Sequence, residues 1–169
     1  MAPVTSLSPE AWADAALEVI SEGGLENLNV EALARRLGVT KGSFYWHFSS
    51  RSSMLLVALA RWERLESEAL RIDQDAIADP RARLRRLLWR GTDSILERLA
   101  PSADASVVRT LSRVRDRHVN QLATVYRELR LPEELARKQA LLAYAAFAGL
   151  NHLTPEDAGV AVDQLVPGS

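Results

Sequence analysis

Apolar residues recur along this chain in steps of three and four and nowhere in sustained alternation, so the pattern predicts helices throughout. Ser8-Pro9-Glu10 opens the first helix with a serine cap, a proline at the first helical position and an acid at the positive end of the dipole. Trp12, Ala13, Ala16, Leu17 and Ile20 form its buried stripe, and Gly23-Gly24 stops it. Val30, Leu33, Ala34 and Leu37 define a second, short helix. Asn29 caps it, and Gly38 ends it where a left-handed backbone is cheap for glycine. Thr40 caps a third helix, whose Phe44 and Phe48 lie i, i+4 on the buried side. A longer helix is predicted over 53–76, one over 80–99 opened by Asp79-Pro80, and one over 104–130. Leu131-Pro132 breaks the last of these; an alanine-rich helix follows over 133–153, and Thr154-Pro155-Glu156 starts a short final one.

The second and third helices carry the chemistry. With Phe44 and Phe48 inward, the third helix turns Lys41, Gly42, Ser43, Tyr45, Trp46 and His47 outward. Lysine donates to phosphates or base edges, the small Gly42 and Ser43 let the backbone approach a groove, and Tyr45 and His47 donate to phosphate oxygens. Two short helices joined by a glycine turn, the second with this face, are the layout of a helix-turn-helix. The net charge of −1 argues against a nucleic-acid ligand. Residues 32–62, however, hold Arg35, Arg36, Lys41, Arg51 and Arg61 and no acid, while Glu10, Asp14, Glu18, Glu22, Glu26 and Glu31 all precede that window. A local basic face suffices, because the field that matters is felt within about 10 Å.

The run Gly38-Val39-Thr40-Lys41-Gly42-Ser43-Phe44-Tyr45-Trp46-His47-Phe48 resembles the recognition-helix signature of TetR-type transcriptional regulators. The resemblance covers residues 10–58 and includes Gly23-Gly24 and the link into Asn29-Val30-Glu31-Ala32-Leu33-Ala34. It implies an all-α chain: a three-helix DNA-binding domain with a helix-turn-helix over residues 1–51, then a helical ligand-binding and dimerisation domain over 52–169. The DNA-binding set is Asn29, Arg36, Thr40, Lys41, Gly42, Ser43, Tyr45, Trp46, His47 and Arg51. Arg51 stands where the family usually has a lysine reaching the DNA backbone, and Ser49 where a further lysine is frequent. The implied function is a ligand-responsive repressor. A single helix-turn-helix reads few base pairs, so a homodimer on a palindromic double-stranded operator is expected. The seam is expected on 104–130 and 133–153, where Val107-Leu111-Val114 and Leu122-Val125-Leu129 form a stripe and Ala136, Ala140 and Ala143 permit close approach. Trp62, Leu65 and Trp89 are the candidate walls of an effector pocket.

Other features read more plainly. Arg81, Arg83, Arg85, Arg86 and Arg90 interleave with leucines and read as a solvated helix face. Asp93 and Glu97 with His118 imitate a metal site, but Arg90 and Arg98 are ready partners. Tyr144, Asn151 and His152 read as cap or interface groups rather than effector contacts. The histidines have no nucleophile or metal ligand at a recognised spacing, so neither an enzyme, a cofactor nor a metal is implied. The rival class is a helical small-molecule or lipid carrier that has lost DNA binding. The chain lacks cysteine, and MAPVTSLSPEAW has no basic region followed by an apolar stretch, so a cytoplasmic location is expected. No membrane is expected as a partner, since Ala140 to Leu150 is about half of a membrane span.

Overall fold

The computed structural model describes residues 7–89, 94–149 and 153–168. Among them there is no strand, and the helices are α1 Pro9–Gly23, α2 Val30–Arg36, α3 Lys41–Tyr45, α4 Arg51–Ala76, α5 Pro80–Trp89, α6 Ser94–Leu99, α7 Ala105–Glu128, α8 Glu133–Gly149 and α9 Pro155–Leu165. Ser8, Asn29 and Thr154 each accept a main-chain N–H from the first turn of α1, α2 and α9. Asp104 Oδ1 does the same for Ser106 and Val107 at the head of α7, at 2.8 and 3.3 Å. These side chains satisfy donors that no preceding turn can reach. Of the helix expected over 80–99, α5 and α6 are described; residues 90–93, including Arg90 and Asp93, lie outside the described residues, as do Asn151 and His152 beyond α8.

The chain forms two compact units, one of Met1–Leu65 with Ser94–Leu111 and one of Glu66–Asp93 with Ser112–Ser169. In the first, Trp12, Ile20, Leu28, Leu33, Phe44, Met54, Leu59 and Trp62 are buried together with Leu99 and Val107. In the second, Leu84, Leu88, Val114, Leu122, Val125 and Tyr126 are buried with Ala136, Ala140, Ala143 and Phe147 of α8. The Tyr126 hydroxyl donates to the Leu165 carbonyl at 2.8 Å, tying α7 to the end of α9. Arg83 departs from the solvated face expected of it: it is buried and pairs with Glu128 at 2.8 Å. Burying an arginine between leucines without such a partner would leave an uncompensated charge in the core.

The apolar stripes expected at a dimer seam are largely covered within the chain, with Leu111 and Leu129 half-buried. Val107, Val114, Leu122 and Val125 are buried, as are Ala136, Ala140, Ala143 and Phe147, which share one face of α8. The opposite side of α8 is the open one, with Leu135, Leu141 and Leu142 exposed.

Two helices end in the same left-handed turn. After α2, Gly38 has φ 68°; its N–H bonds the Arg35 carbonyl and the Val39 N–H the Ala34 carbonyl. After α7, Arg130 has φ 69° with the equivalent bonds to Arg127 and Tyr126. This is the Schellman arrangement, in which a Cβ is strained. A Cβ at Gly38 would meet no atom within 4 Å, so backbone strain alone opposes it. Gly38→Ala should therefore lose about 1 kcal/mol and Arg130→Gly should gain about as much. Chemical denaturation reads both signs, and equal stability of either variant with the parent would contradict the assignment.

Candidate nucleic-acid interface

The site is assembled from α1, α2 and α3 of the first unit. Asn29 fixes the entry to α2, its side chain accepting the Ala32 N–H at 2.7 Å. The turn at Gly38 and Val39 then redirects the chain into Thr40, which has the extended backbone of a cap. Its hydroxyl makes no cap hydrogen bond, contrary to expectation. The Ser43 N–H it would bind is already taken by the Thr40 carbonyl at 3.0 Å. Phe44 is fully buried, edge-on to Trp12 with ring centres 5.4 Å apart and 5.2 Å from Phe48.

That anchor sets the rotation of α3. Lys41, Gly42, Tyr45 and Trp46 are exposed, Trp46 by 87%, while Ser43 and His47 are half-buried. At Gly42 an added Cβ would touch only Thr40 Oγ1 at 3.6 Å, so the fold itself does not demand glycine there. His47 Nε2 is enclosed and makes no hydrogen bond among the described residues. The ring would have to rotate for that nitrogen to reach a phosphate.

The charges are arranged differently from their order in the chain. Arg36 is bidentate on Glu22 at 2.7 and 2.8 Å and reaches Glu18 at 3.1 Å. Its guanidinium holds the Glu22 carboxyl below the usual carboxylate range. Lys41 Nζ donates to Glu31 Oε1, which likewise lowers the Glu31 carboxyl and raises the lysine. Arg61 Nε lies 3.0 Å from Asp14 Oδ1. Arg51 points its guanidinium at main chain, donating to the Leu28 and Leu25 carbonyls at 2.6 and 2.7 Å. Those oxygens belong to the first residue and the C-cap of the short 3-10 turn Leu25–Asn27, which the periodicity did not announce. Of the cations in the basic window, Arg36, Lys41 and Arg61 are thus paired with acids from earlier in the chain. Arg35 is exposed and has no ion-pair partner among the described residues.

The remaining candidates are placed as follows. Trp62 is buried in the first unit, where Leu65 is exposed; Trp89, in the second, is half-exposed. His118 is buried beside Glu66, with Nε2 to Oε2 at 3.2 Å, and stacks near Tyr144 and Phe147. Among the described residues no group of three His, Cys, Asp or Glu could hold a metal, and no helix is long and apolar enough to cross a membrane.

A short helix anchored inward by an aromatic pair and presenting Lys41, Tyr45 and Trp46 outward, after a glycine turn from α2, makes this unit a helix-turn-helix domain. Residues 13–58 match the family model of bacterial regulatory proteins, tetR family. Over 52 residues the chain is 38% identical to the tetracycline repressor protein class A from transposon 1721 of Escherichia coli, a match covering 31% of this chain and 24% of that protein. The matches span about a quarter of the length of such curated relatives. The fold resembles that of a transcriptional regulator from Rhodococcus sp. Rha1, with a TM-score of 0.79, 23% identity and coverage of 95% of this chain and 94% of that one. It also resembles that of the transcriptional regulator FadR from Bacillus subtilis in complex with stearoyl-CoA, with a TM-score of 0.68, 17% identity and coverage of 96% and 100%. Residues 13–58 therefore form a DNA-binding domain of the tetR-family type, and the remainder of the chain shares the fold of its structural neighbours.

The placement of Arg51 carries a stability consequence. Arg51→Ala removes two charge-assisted hydrogen bonds from the Leu25 and Leu28 carbonyls and should cost the first unit about 2 kcal/mol in the absence of DNA. Urea unfolding of the free protein measures it; an unchanged midpoint would leave Arg51 no role in the fold.

Proposed function

We propose that this chain is a ligand-responsive DNA-binding transcriptional regulator, acting as a homodimer that represses from a palindromic operator in the cytoplasm. The observation that carries the reading is α3: Phe44 fixes its rotation, and Lys41, Gly42, Tyr45 and Trp46 face solvent on one surface. Residues 1–51 read DNA and residues 52–169 dimerise and sense the effector. Within the DNA-binding set, Lys41, Gly42, Ser43, Tyr45, Trp46 and His47 face the duplex. Asn29, Arg36 and Arg51 hold the elements that present them, and Thr40, exposed and with its hydroxyl not engaged in capping, faces the duplex at the start of α3. A homodimer places two copies of α3 in successive major grooves about 34–36 Å apart. The matched tetracycline repressor supports repression, and the FadR neighbour's stearoyl-CoA supports a small-molecule effector. Of the candidate pocket walls, Leu65 in the first unit and Trp89 in the second are each exposed, whereas Trp62 fills the core of the first. A ligand shifts the regulator only by its differential affinity for the DNA-competent and DNA-incompetent states.

Lys41→Ala should weaken binding to an operator selected from a random pool by about 1–3 kcal/mol without unfolding the protein. Gel-shift titration tests this, and wild-type affinity in the folded variant would refute it.

The dimer reading is supported by the outer side of α8 with Val160 of α9, where Leu135, Leu141, Leu142 and Val160 are each about half exposed or more. A second copy of the chain would cover this exposed apolar area. Leu142→Glu should yield a folded monomer by light scattering, whereas Phe147→Glu should unfold the second unit, because Phe147 is buried in it. A monomeric wild type at micromolar concentration would sink the dimer.

A further inference from the structure

We infer that Glu31 is a specificity-determining residue of the DNA-facing surface: its carboxylate engages Lys41 and disfavours duplexes that offer phosphates alone. The inference rests on the DNA-binding reading above. Val30, Leu33 and Ala34 are buried, which sets the rotation of α2. Glu31 and Arg35 are i, i+4 and share one side of that helix. Because Glu31 meets Lys41, the first residue of α3, this side borders the start of the recognition-type helix. Arg36, about 100° further round, faces α1 and is held by Glu22. The Lys41 and Glu31 side chains are 51% and 60% exposed, and a pair so open to water adds little to folding.

Its effect falls on binding instead. Non-specific association draws its strength from cations neutralising phosphates. Lys41 must leave a carboxylate to reach a phosphate, an exchange of one anion for another. The abandoned Glu31 then sits uncompensated beside the DNA backbone. At the operator, Lys41 gains directed bonds to a base edge that a random duplex does not supply in register. On a random duplex that exchange gains nothing, so Lys41 stays with Glu31 and one phosphate contact is forgone, whereas at the operator the directed bonds draw the lysine away. Arg35, on the same side and one turn along, contributes a phosphate contact without such a competitor.

The test is fluorescence anisotropy of wild type, Glu31→Gln, Lys41→Ala and the double variant, on a random-sequence duplex and on the pool-selected operator, across a salt series. Glu31→Gln should tighten random-duplex binding about threefold and steepen its log K against log salt slope by about 0.9, the increment of one added phosphate contact. Operator affinity should change less, and the slope increment should vanish in the Lys41→Ala background. Unchanged random-duplex affinity and slope, or equal tightening on both duplexes, would overturn the inference. A second readout needs no DNA. The Glu31 carboxyl, followed by NMR, should titrate below the usual carboxylate range in wild type and move back towards it in Lys41→Ala. An ordinary titration that the lysine variant leaves unmoved would also overturn it. Wild type failing to bind either duplex at low salt would sink the DNA-binding reading and this inference with it. Binding without a Glu31 effect would sink the inference alone.

Discussion

Phe44 enters the core of the first unit edge-on to Trp12, and that contact does for α3 what its own five residues cannot. A helix of one turn and a half has spent the entropy of nucleation and gathered almost none of the return from propagation. It exists because an aromatic side chain in its last turn is buried. The same burial fixes the rotation of the helix and hence which side chains look outward. Gly38 acts one step earlier, since the left-handed turn sets the direction in which α3 leaves α2. Lys41, Tyr45 and Trp46 thus owe their common direction to one apolar contact and one backbone angle.

The electrostatics of this unit follow from the same packing. When α1 and α2 fold against each other, Glu18 and Glu22 come beside Arg36; Glu31 meets Lys41 where α2 borders α3, and Asp14 meets Arg61 of α4. The result is a surface studded with cations whose field is offset at short range. Such a surface relies on shape and directed hydrogen bonds more than on bulk attraction. That is consistent with a chain whose net charge is −1.

The helices were legible because their caps and stripes are local: Ser8, Asn29 and Thr154 each act on the helix they precede. The inward side of α3 was legible too, since the Phe44–Phe48 spacing permits only one buried side. What the sequence concealed depends on partners far along the chain. The basic window holds no acid within itself, yet Arg36, Lys41 and Arg61 find acids from residues 14–31, because proximity in space is not proximity in the chain. Arg51 reads as a phosphate ligand until the carbonyls of Leu25 and Leu28 are seen beside it. Arg83 reads as solvated until Glu128 is found against it. The α8 alanines show close packing but not against what, and the answer is the chain's own core. The left-handed Arg130 has no composition signal, because its conformation is imposed by the bonds around it.

Trp46 stands almost wholly in water, while Trp12 and Trp62 are shielded and Trp89 is half-covered. An indole in water emits at longer wavelength than one held among apolar side chains. The surface that we assign to DNA therefore carries its own optical reporter. Contact with a duplex would quench or shift the most solvent-relaxed part of the emission and leave the core tryptophans as an internal reference. The protein can be watched docking without a dye, and a variant that lacks only Trp46 supplies the blank.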